Sequence, residues 1–362
     1  MSKTIRVLHT EWSDGWGGQE IRIIHEMKMM RSEGVEVYLA CRENSIIKDE
    51  AVANNIKVFT LPFKGNADLK TLLYLKKIIK YHSINIVNTH SGKDTWVGGF
   101  AAKLAGVKFI RTRHLSNKIN SSRLNFINEL ADYVFTTGEK VRDDMIKYNR
   151  INENKIISIP TGIDESIFNP ASYNRAECRR ELKIKDSEIA IGILAVLRKF
   201  KRHDLFLKMA KSLIKKFPNK GLVFFIAGNG PQKENIEKII NKLNLTEHVK
   251  MIGHINNAPK FLCAIDVLVL SSDSKEGVPQ SVMQGLLMNK KVVSSDTGST
   301  RDLFHNNNFQ LVQRGDEAAL INGVSIFLNN LDKVSTRKHM IKNFSSKVMV
   351  KKIMTSYKEI LD

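Results

Sequence analysis

The sequence predicts an α/β protein made of two parallel-sheet domains. Short β-branched runs alternate with segments of 3.6-residue apolar period from end to end, the pattern of parallel strands joined by helices. Thirteen such runs are too many for one comfortable open sheet. The alternation lapses once, in PTGIDESIFNPASYNR (160–175), where turn residues replace it. A chain of 362 residues is comfortable for two domains.

Taken in order, the first seven runs are TIRVLH, VEVYLA, KVFTLP, INIVNTH, KFIRTRH, YVFTTG and KIISIP. Each is rich in the β-branched and aromatic residues that fit a pleated, buried surface. Six more follow the lapse: IAIGILAVL, LVFFIAG, VKMIGH, VLVLSS, KVVSSD and FQLVQ. Helical period appears between them, as in DLFLKMAKSLIKKF and KENIEKIINKLN. The tail FSSKVMVKKIMTSYKEILD is also helical in pattern and free to pack back on the first domain. The expected domains are therefore 1–165 and 166–345, with a returning helix at 346–362.

Composition narrows the class. Apolar residues make up 42% of the chain, enough for ordinary cores. GILAVL and FLCAIDVLVL are too short or too interrupted to span a bilayer. The opening MSKTIRVLHTEWSDG lacks the long apolar centre of a signal peptide. Cys41, Cys178 and Cys263 are too far apart for a disulfide framework or a metal site. The expectation is a soluble, reduced, cytoplasmic protein. Its net charge of +20 is uneven, with seventeen Lys/Arg against seven Asp/Glu in residues 51–150. LKTLLYLKKIIKYH and KFIRTRH carry much of that excess. Such a surface suits anionic lipid headgroups, nucleic acid or phosphorylated substrates, and a solvated lysine-rich face is the plain alternative.

In open parallel sheets ligands bind beyond the carboxyl ends of the strands, so the chemistry is sought in those loops. After the first run, TEWSDGWGGQE sets Gly15, Gly17 and Gly18 before a helix, where backbone can approach an anion. It is neither a dinucleotide fingerprint nor a P-loop. His90 and His114 close the fourth and fifth runs. Each alone reads as a structural histidine, but two at neighbouring strand ends could face one ligand. In LAVLRKFKRHD, Arg198 and Lys201 could neutralise a diphosphate, Arg by a forked contact and Lys as a point charge. FIAGNGP places Gly228, Asn229 and Gly230 for close approach, and backbone at His254 and Ile255 could meet a base edge. In EGVPQSVMQ, Pro279 suits a helix's first turn. The N–H groups of Gln280, Ser281 and Val282 would then point at an anion, with the dipole adding about 0.3–2 kcal/mol. Glu276, just outside, and Gln284, one to two turns in, are placed to hold hydroxyls. Hydroxyl binders flanking a phosphate site match the layout of a nucleotide sugar.

These pieces together resemble a family. The order GG-Q-E, a strand-end His, PTGID, LRKFKRHD, FIAGNGP, VKMIGHI, EGVPQSVMQ and DTGS is similar to the retaining glycosyltransferases of family 4. The match runs from about residue 6 to the final helix. The resemblance implies the GT-B fold: two Rossmann-like domains facing across a cleft, the acceptor on the first, the donor on the second, and a last helix crossing back. It implies that Arg198 and Lys201 hold the diphosphate and that Glu276 contacts the donor sugar. Backbone of Gly277, Val278, Pro279, Gln280, Ser281 and Val282 would line sugar and phosphate. Gly17 and Gly18 would close over the phosphates, His90 would stand near the reacting centre, and Arg113 and His114 would serve the acceptor side. Two departures stand out. The family's second Glu is Gln284, whose neutral amide should bond the ribose less strongly, and its usual Gly after the phosphate Lys is Arg202. The forms L-R-x-x-K and E-G-V-P-Q…Q resemble a branch acting on bacterial lipopolysaccharide and other envelope glycans.

The implied reaction moves a sugar from a nucleoside diphosphate, UDP ahead of GDP, to a lipopolysaccharide or lipid-linked glycan, with retention. The chain holds no Asp-x-Asp motif, in keeping with a metal-independent reaction and no cofactor. The basic zone would rest on the anionic inner face of the cytoplasmic membrane. Three other readings remain: a non-catalytic sugar-nucleotide-binding partner, an epimerase on the same fold, and a nucleic-acid binder. The last lacks interleaved aromatics or any known module, so no nucleic-acid partner is expected. The sequence leaves sugar, linkage and oligomeric state open.

Overall fold

The computed structural model describes residues 4–114, 119, 123–274, 276–305, 309–330 and 335–362. The chain forms two compact units, Met1–Gly162 with Ser346–Asp362, and Ile163–Ser345. The division thus falls three residues before the expected 165.

Seven parallel strands build the first unit: β1 (Arg6–Glu11), β2 (Glu36–Cys41), β3 (Lys57–Thr60), β4 (Ile86–Thr89), β5 (Lys108–Arg113), β6 (Tyr133–Thr136) and β7 (Ile156–Ser158). Their order is β3-β2-β1-β4-β5-β6-β7. Six build the second: β8 (Ile189–Leu194), β9 (Leu222–Ala227), β10 (Val249–Gly253), β11 (Val267–Leu270), β12 (Lys291–Ser295) and β13 (Phe309–Val312). Their order is β10-β9-β8-β11-β12-β13. The strands are shorter than the apolar runs that signalled them. IAIGILAVL leaves the sheet after Leu194, yet Leu197 is still fully buried. Apolar character continues there because the loop itself packs into the core.

Each sheet reverses its winding once, between β1 and β4 and between β8 and β11. At such a switch point the two connections leave for opposite faces and open a crevice at the carboxyl ends. Register fixes which residues meet at that edge, with Thr10 opposite Thr89 in the first unit.

Apolar side chains fill both faces of both sheets. In the first unit, helix Ser346–Leu361 packs beside helix Gly18–Ser32. Ile353 and Tyr357 are fully buried there, and Tyr357 stacks on Phe135 with ring centroids 6.3 Å apart. Lys352 donates to the Ser158 carbonyl at 3.2 Å. In the second unit, Ile163 forms a parallel bridge with Ser345. Among the described residues no helix is long and apolar enough to cross a membrane.

Candidate functional site

At the β8/β11 switch point several loops are stitched into one surface. Gly228 and Gly230, after β9, adopt φ of 145° and 154°. A Cβ at Gly228 would lie 1.9 Å from the Ala195 carbonyl oxygen, and one at Gly230 2.8 Å from that of Leu197. The close approach these glycines permit is therefore to the loop after β8, where the sequence reading had placed a ligand. Leu197 N–H donates to Asn229 O at 2.9 Å, which anchors the loop and leaves the next side chain, Arg198, exposed.

Lys199–Lys201 form a single 3-10 turn, closed by Arg202 in the left-handed region at φ 52°. A residue with a Cβ pays about 1 kcal/mol there relative to glycine, which is the physical reason a glycine fits this position. Arg202 offsets the strain with a forked pair to Asp204, both contacts 2.9 Å, and a third contact to Asp273 at 3.5 Å. Ser271 Oγ, just past β11, sits 2.9 Å from the carbonyls of both Lys201 and Arg202.

Lys201 and Glu276 are partners. The ammonium donates to Glu276 Oε1 at 2.5 Å, and Ser272 Oγ donates to the same oxygen at 2.6 Å. Only 15% of the lysine side chain and 9% of the glutamate side chain is exposed. Two groups that sequence reasoning gave separate tasks thus neutralise each other. The loop carrying Glu276 is held from below by DTGS: Gly298 is at φ 58°, and a Cβ there would lie 2.0 Å from the Glu276 carbonyl oxygen. Ser299 N–H adds a bond to Gly277 O at 3.0 Å.

The helix that follows is Gln280–Leu287, and Pro279 precedes its first turn as the N-cap, one position earlier than expected. No side chain caps this start. Met283 makes the first helical bond, to Pro279 O at 3.2 Å, so the N–H groups of Ser281 and Val282 point past the helix end. Val278 and Val282 bury their side chains and offer backbone alone. Gln284 is half-buried one turn in, and at the end of β10 His254 is exposed while Ile255 packs against the core.

In the first unit the structure corrects the reading of the histidines. His90 and His114 face each other, Nδ1 to Nε2 at 2.9 Å, and His9 on β1 meets His90 Nε2 through its own Nδ1 at 2.9 Å. The adjacent strands β1, β4 and β5 hold the three rings in a row. A neutral imidazole has one donor and one acceptor, so with both nitrogens of His90 engaged the bonds must all run the same way. His90 is buried and has no ring nitrogen left for a sugar hydroxyl unless a bond in the row breaks. Burial holds all three well below the ordinary histidine range, His9 at about 3. His9 Nε2 has no partner among the described residues. Arg113, largely buried beside Arg111, is pushed down to about 10.

Two acids that the sequence reading missed organise this edge. Asp94 accepts from Thr10 Oγ1 (2.5 Å) and from the backbone N–H groups of His90 (3.0 Å) and Ser91 (2.7 Å), tying β1 to the loop after β4. Glu11 accepts from Ser13 N–H at 2.8 Å and Gln19 Nε2 at 2.5 Å. Burial raises its pKa to about 8. Gly17 is extended at φ −158°, and its N–H donates to Glu20 at 2.8 Å. The turn before helix Gly18–Ser32 is thus held by its own carboxylate. No group of three or more potential metal ligands occurs among the described residues.

Comparison with known proteins agrees across nearly the whole chain. Residues 16–167 match the family model described as Glycosyltransferase Family 4, and residues 174–346 match the one for glycosyl transferases group 1. A relative from Escherichia coli is a UDP-Gal:alpha-D-GlcNAc-diphosphoundecaprenol alpha-1,3-galactosyltransferase. It is 25% identical over 98% of this chain and 93% of its own length. A glycosyltransferase from Rickettsia africae superposes with a TM-score of 0.89 at 20% identity, covering 99% of each chain. Anabaena HepE, solved with UDP, gives 0.86 at 16% identity, covering 98% of this chain and 100% of its own.

Proposed function

The chain belongs to the GT-B glycosyltransferases of family 4, which use nucleotide-sugar donors, and from that premise we propose that it transfers a hexose-type sugar from a nucleoside diphosphate to a lipid-linked glycan or lipopolysaccharide hydroxyl. UDP is the expected carrier, ahead of GDP. The name of the E. coli relative, with its UDP-linked donor and diphosphoundecaprenol acceptor, supports both choices.

The observation that carries the reading is the surface at the β8/β11 switch point. An exposed Arg198, Lys201 and an uncapped helix start gather there beside a carboxylate. In the proposed reaction the bond from the anomeric carbon to the diphosphate oxygen breaks. The acceptor oxygen bonds to that carbon from the same face, and its proton passes to the leaving phosphate. Negative charge grows on the diphosphate, where Arg198, Lys201 and the N–H groups of Ser281 and Val282 stabilise it without a metal. Glu276, released from Lys201 by the phosphates, would hold sugar hydroxyls, and Gln284 the ribose. The test is Arg198→Ala combined with Lys201→Ala. The variant should stay folded, lose most turnover and lose its thermal shift with UDP. At about a hundred times the dissociation constant that shift reflects roughly 2.7 kcal/mol. Near-normal rates would refute the assignment.

The membrane reading gains a specific surface. Helix Leu69–Tyr81 exposes Leu69 (71%), Leu73 (58%) and Tyr81 (84%) among Lys70, Lys77 and Lys80, with no acid on the helix. Apolar and aromatic side chains interleaved with lysines suit the headgroup layer of an anionic bilayer. Co-sedimentation with vesicles should rise with anionic lipid and fall with salt. Binding indifferent to both would argue against this orientation.

A further inference from the structure

At the switch point of the first unit, three strand ends bring together residues that no part of the reading above uses. Trp12 follows β1, Arg42 follows β2, and Lys93 lies in the first turn of helix Gly92–Ala105, after β4. Lys93 Nζ sits 3.8 Å from the Trp12 ring centroid and the Arg42 guanidinium carbon 5.4 Å from it. One indole therefore holds two cations. Each cation is attracted to the face of the ring, but the two charges repel each other. Beside them, at the ends of β2 and β3, lies a cavity of about 320 Å³ lined by Arg42, Glu43, Asn44, Thr60, Leu61 and Pro62.

The acids nearby do not cancel this arrangement. Asp14 meets Arg42 at 2.8 Å, with both side chains more than a third exposed, so the pair is weak and displaceable. Glu43 is engaged by Lys48 at 3.0 Å. Burial raises the pKa of Glu11 and so favours its neutral form. What remains is a fork-shaped donor that lines the cavity, with a point charge held on the same indole beside it. Arg and Lys so placed recognise phosphate oxygens.

We propose that Trp12, Arg42 and Lys93 form an anion subsite for the phosphate or diphosphate of a lipid-linked acceptor, with the cavity taking the group attached to it. This rests on the glycosyltransferase reading for the word acceptor; the anion chemistry stands on the geometry alone. Displacing Asp14 from Arg42 is the expected cost of binding.

Titration with geranyl diphosphate, with and without saturating UDP, tests it, and inorganic pyrophosphate distinguishes the source of the anion. Wild type should bind geranyl diphosphate even with UDP present. Arg42→Ala with Lys93→Ala should weaken that binding at least tenfold while leaving UDP affinity unchanged. Asp14→Asn should strengthen it several-fold. Pyrophosphate binding much more weakly than geranyl diphosphate supports a lipid-linked ligand, and equal binding overturns the acceptor assignment in favour of free phosphate. Unchanged geranyl diphosphate affinity in the double variant, or none in wild type, overturns the subsite. Loss of UDP binding by wild type would instead refute the donor reading, and the titration without UDP would still report on this site.

Discussion

Replacing Glu276 by Gln should make the protein bind free nucleotide more tightly while slowing transfer. The Lys201 ammonium is held by Glu276 at 2.5 Å, with little of either side chain exposed. An incoming diphosphate must take Lys201 from that carboxylate and also tolerate its charge. A hydrogen bond to a charged group contributes about 1.5–3 kcal/mol net, and a neutral one about 0.5–1.5. The amide of Gln keeps the shape and can still accept from Lys201 and Ser272, so the competition falls by about 1–1.5 kcal/mol. That is a five- to tenfold lower Kd for UDP. Transfer should fall, because the amide bonds sugar hydroxyls less strongly than a carboxylate. Isothermal titration of wild type and variant with UDP, beside initial rates with the UDP-sugar, gives both readouts. A variant that folds normally but binds UDP no better would refute the idea that Lys201 changes partners. Weaker binding would mean that Glu276 orients Lys201 for the phosphate.

Three further outcomes follow from the same structure. Gly298→Ala forces a Cβ to within 2.0 Å of the Glu276 carbonyl at φ 58°; it should cost about 2–4 kcal/mol in urea unfolding and abolish the UDP thermal shift. Arg202→Gly relieves about 1 kcal/mol of left-handed strain but loses the pairs to Asp204 and Asp273; unfolding should move by less than about 1 kcal/mol, and a larger loss would show those pairs to be stronger than half-exposed pairs usually are. His9 is held neutral, its pKa lowered from 6.5 to about 3, so its contribution is present above the unfolded value and lost as pH falls. The stability advantage of wild type over His9→Gln should therefore shrink by about 1.4 kcal/mol between pH 7.5 and 5.5; a gap independent of pH would mean that His9 titrates alike in the folded and unfolded chain, and a gap that widens would mean that it is charged in the native state.

Thirteen strands could be read from the sequence because a parallel strand buried on both faces is apolar throughout and needs no partner to be recognised. Arg198, Lys201 and Glu276 could be picked out as candidates for a related reason: the carboxyl-end rule directs attention to a few loops before any contact is known. What those residues do to one another was hidden. Lys201 and Glu276 are 75 positions apart, and nothing local to either reports that they meet across β8 and β11. His9 was missed on the same ground, since its place beside His90 depends on β1 pairing with β4. The glycines show a different limit. The sequence signals correctly that Gly228 and Gly230 admit a close neighbour, but the neighbour is the chain's own backbone, at the loop that carries Arg198; Gly298, which the sequence did not single out, meets the backbone of the loop that carries Glu276. Each glycine thus bears on the proposed phosphate site indirectly, by fixing the loop that presents a charged side chain. Substituting it should disturb donor binding even though it need not touch the donor.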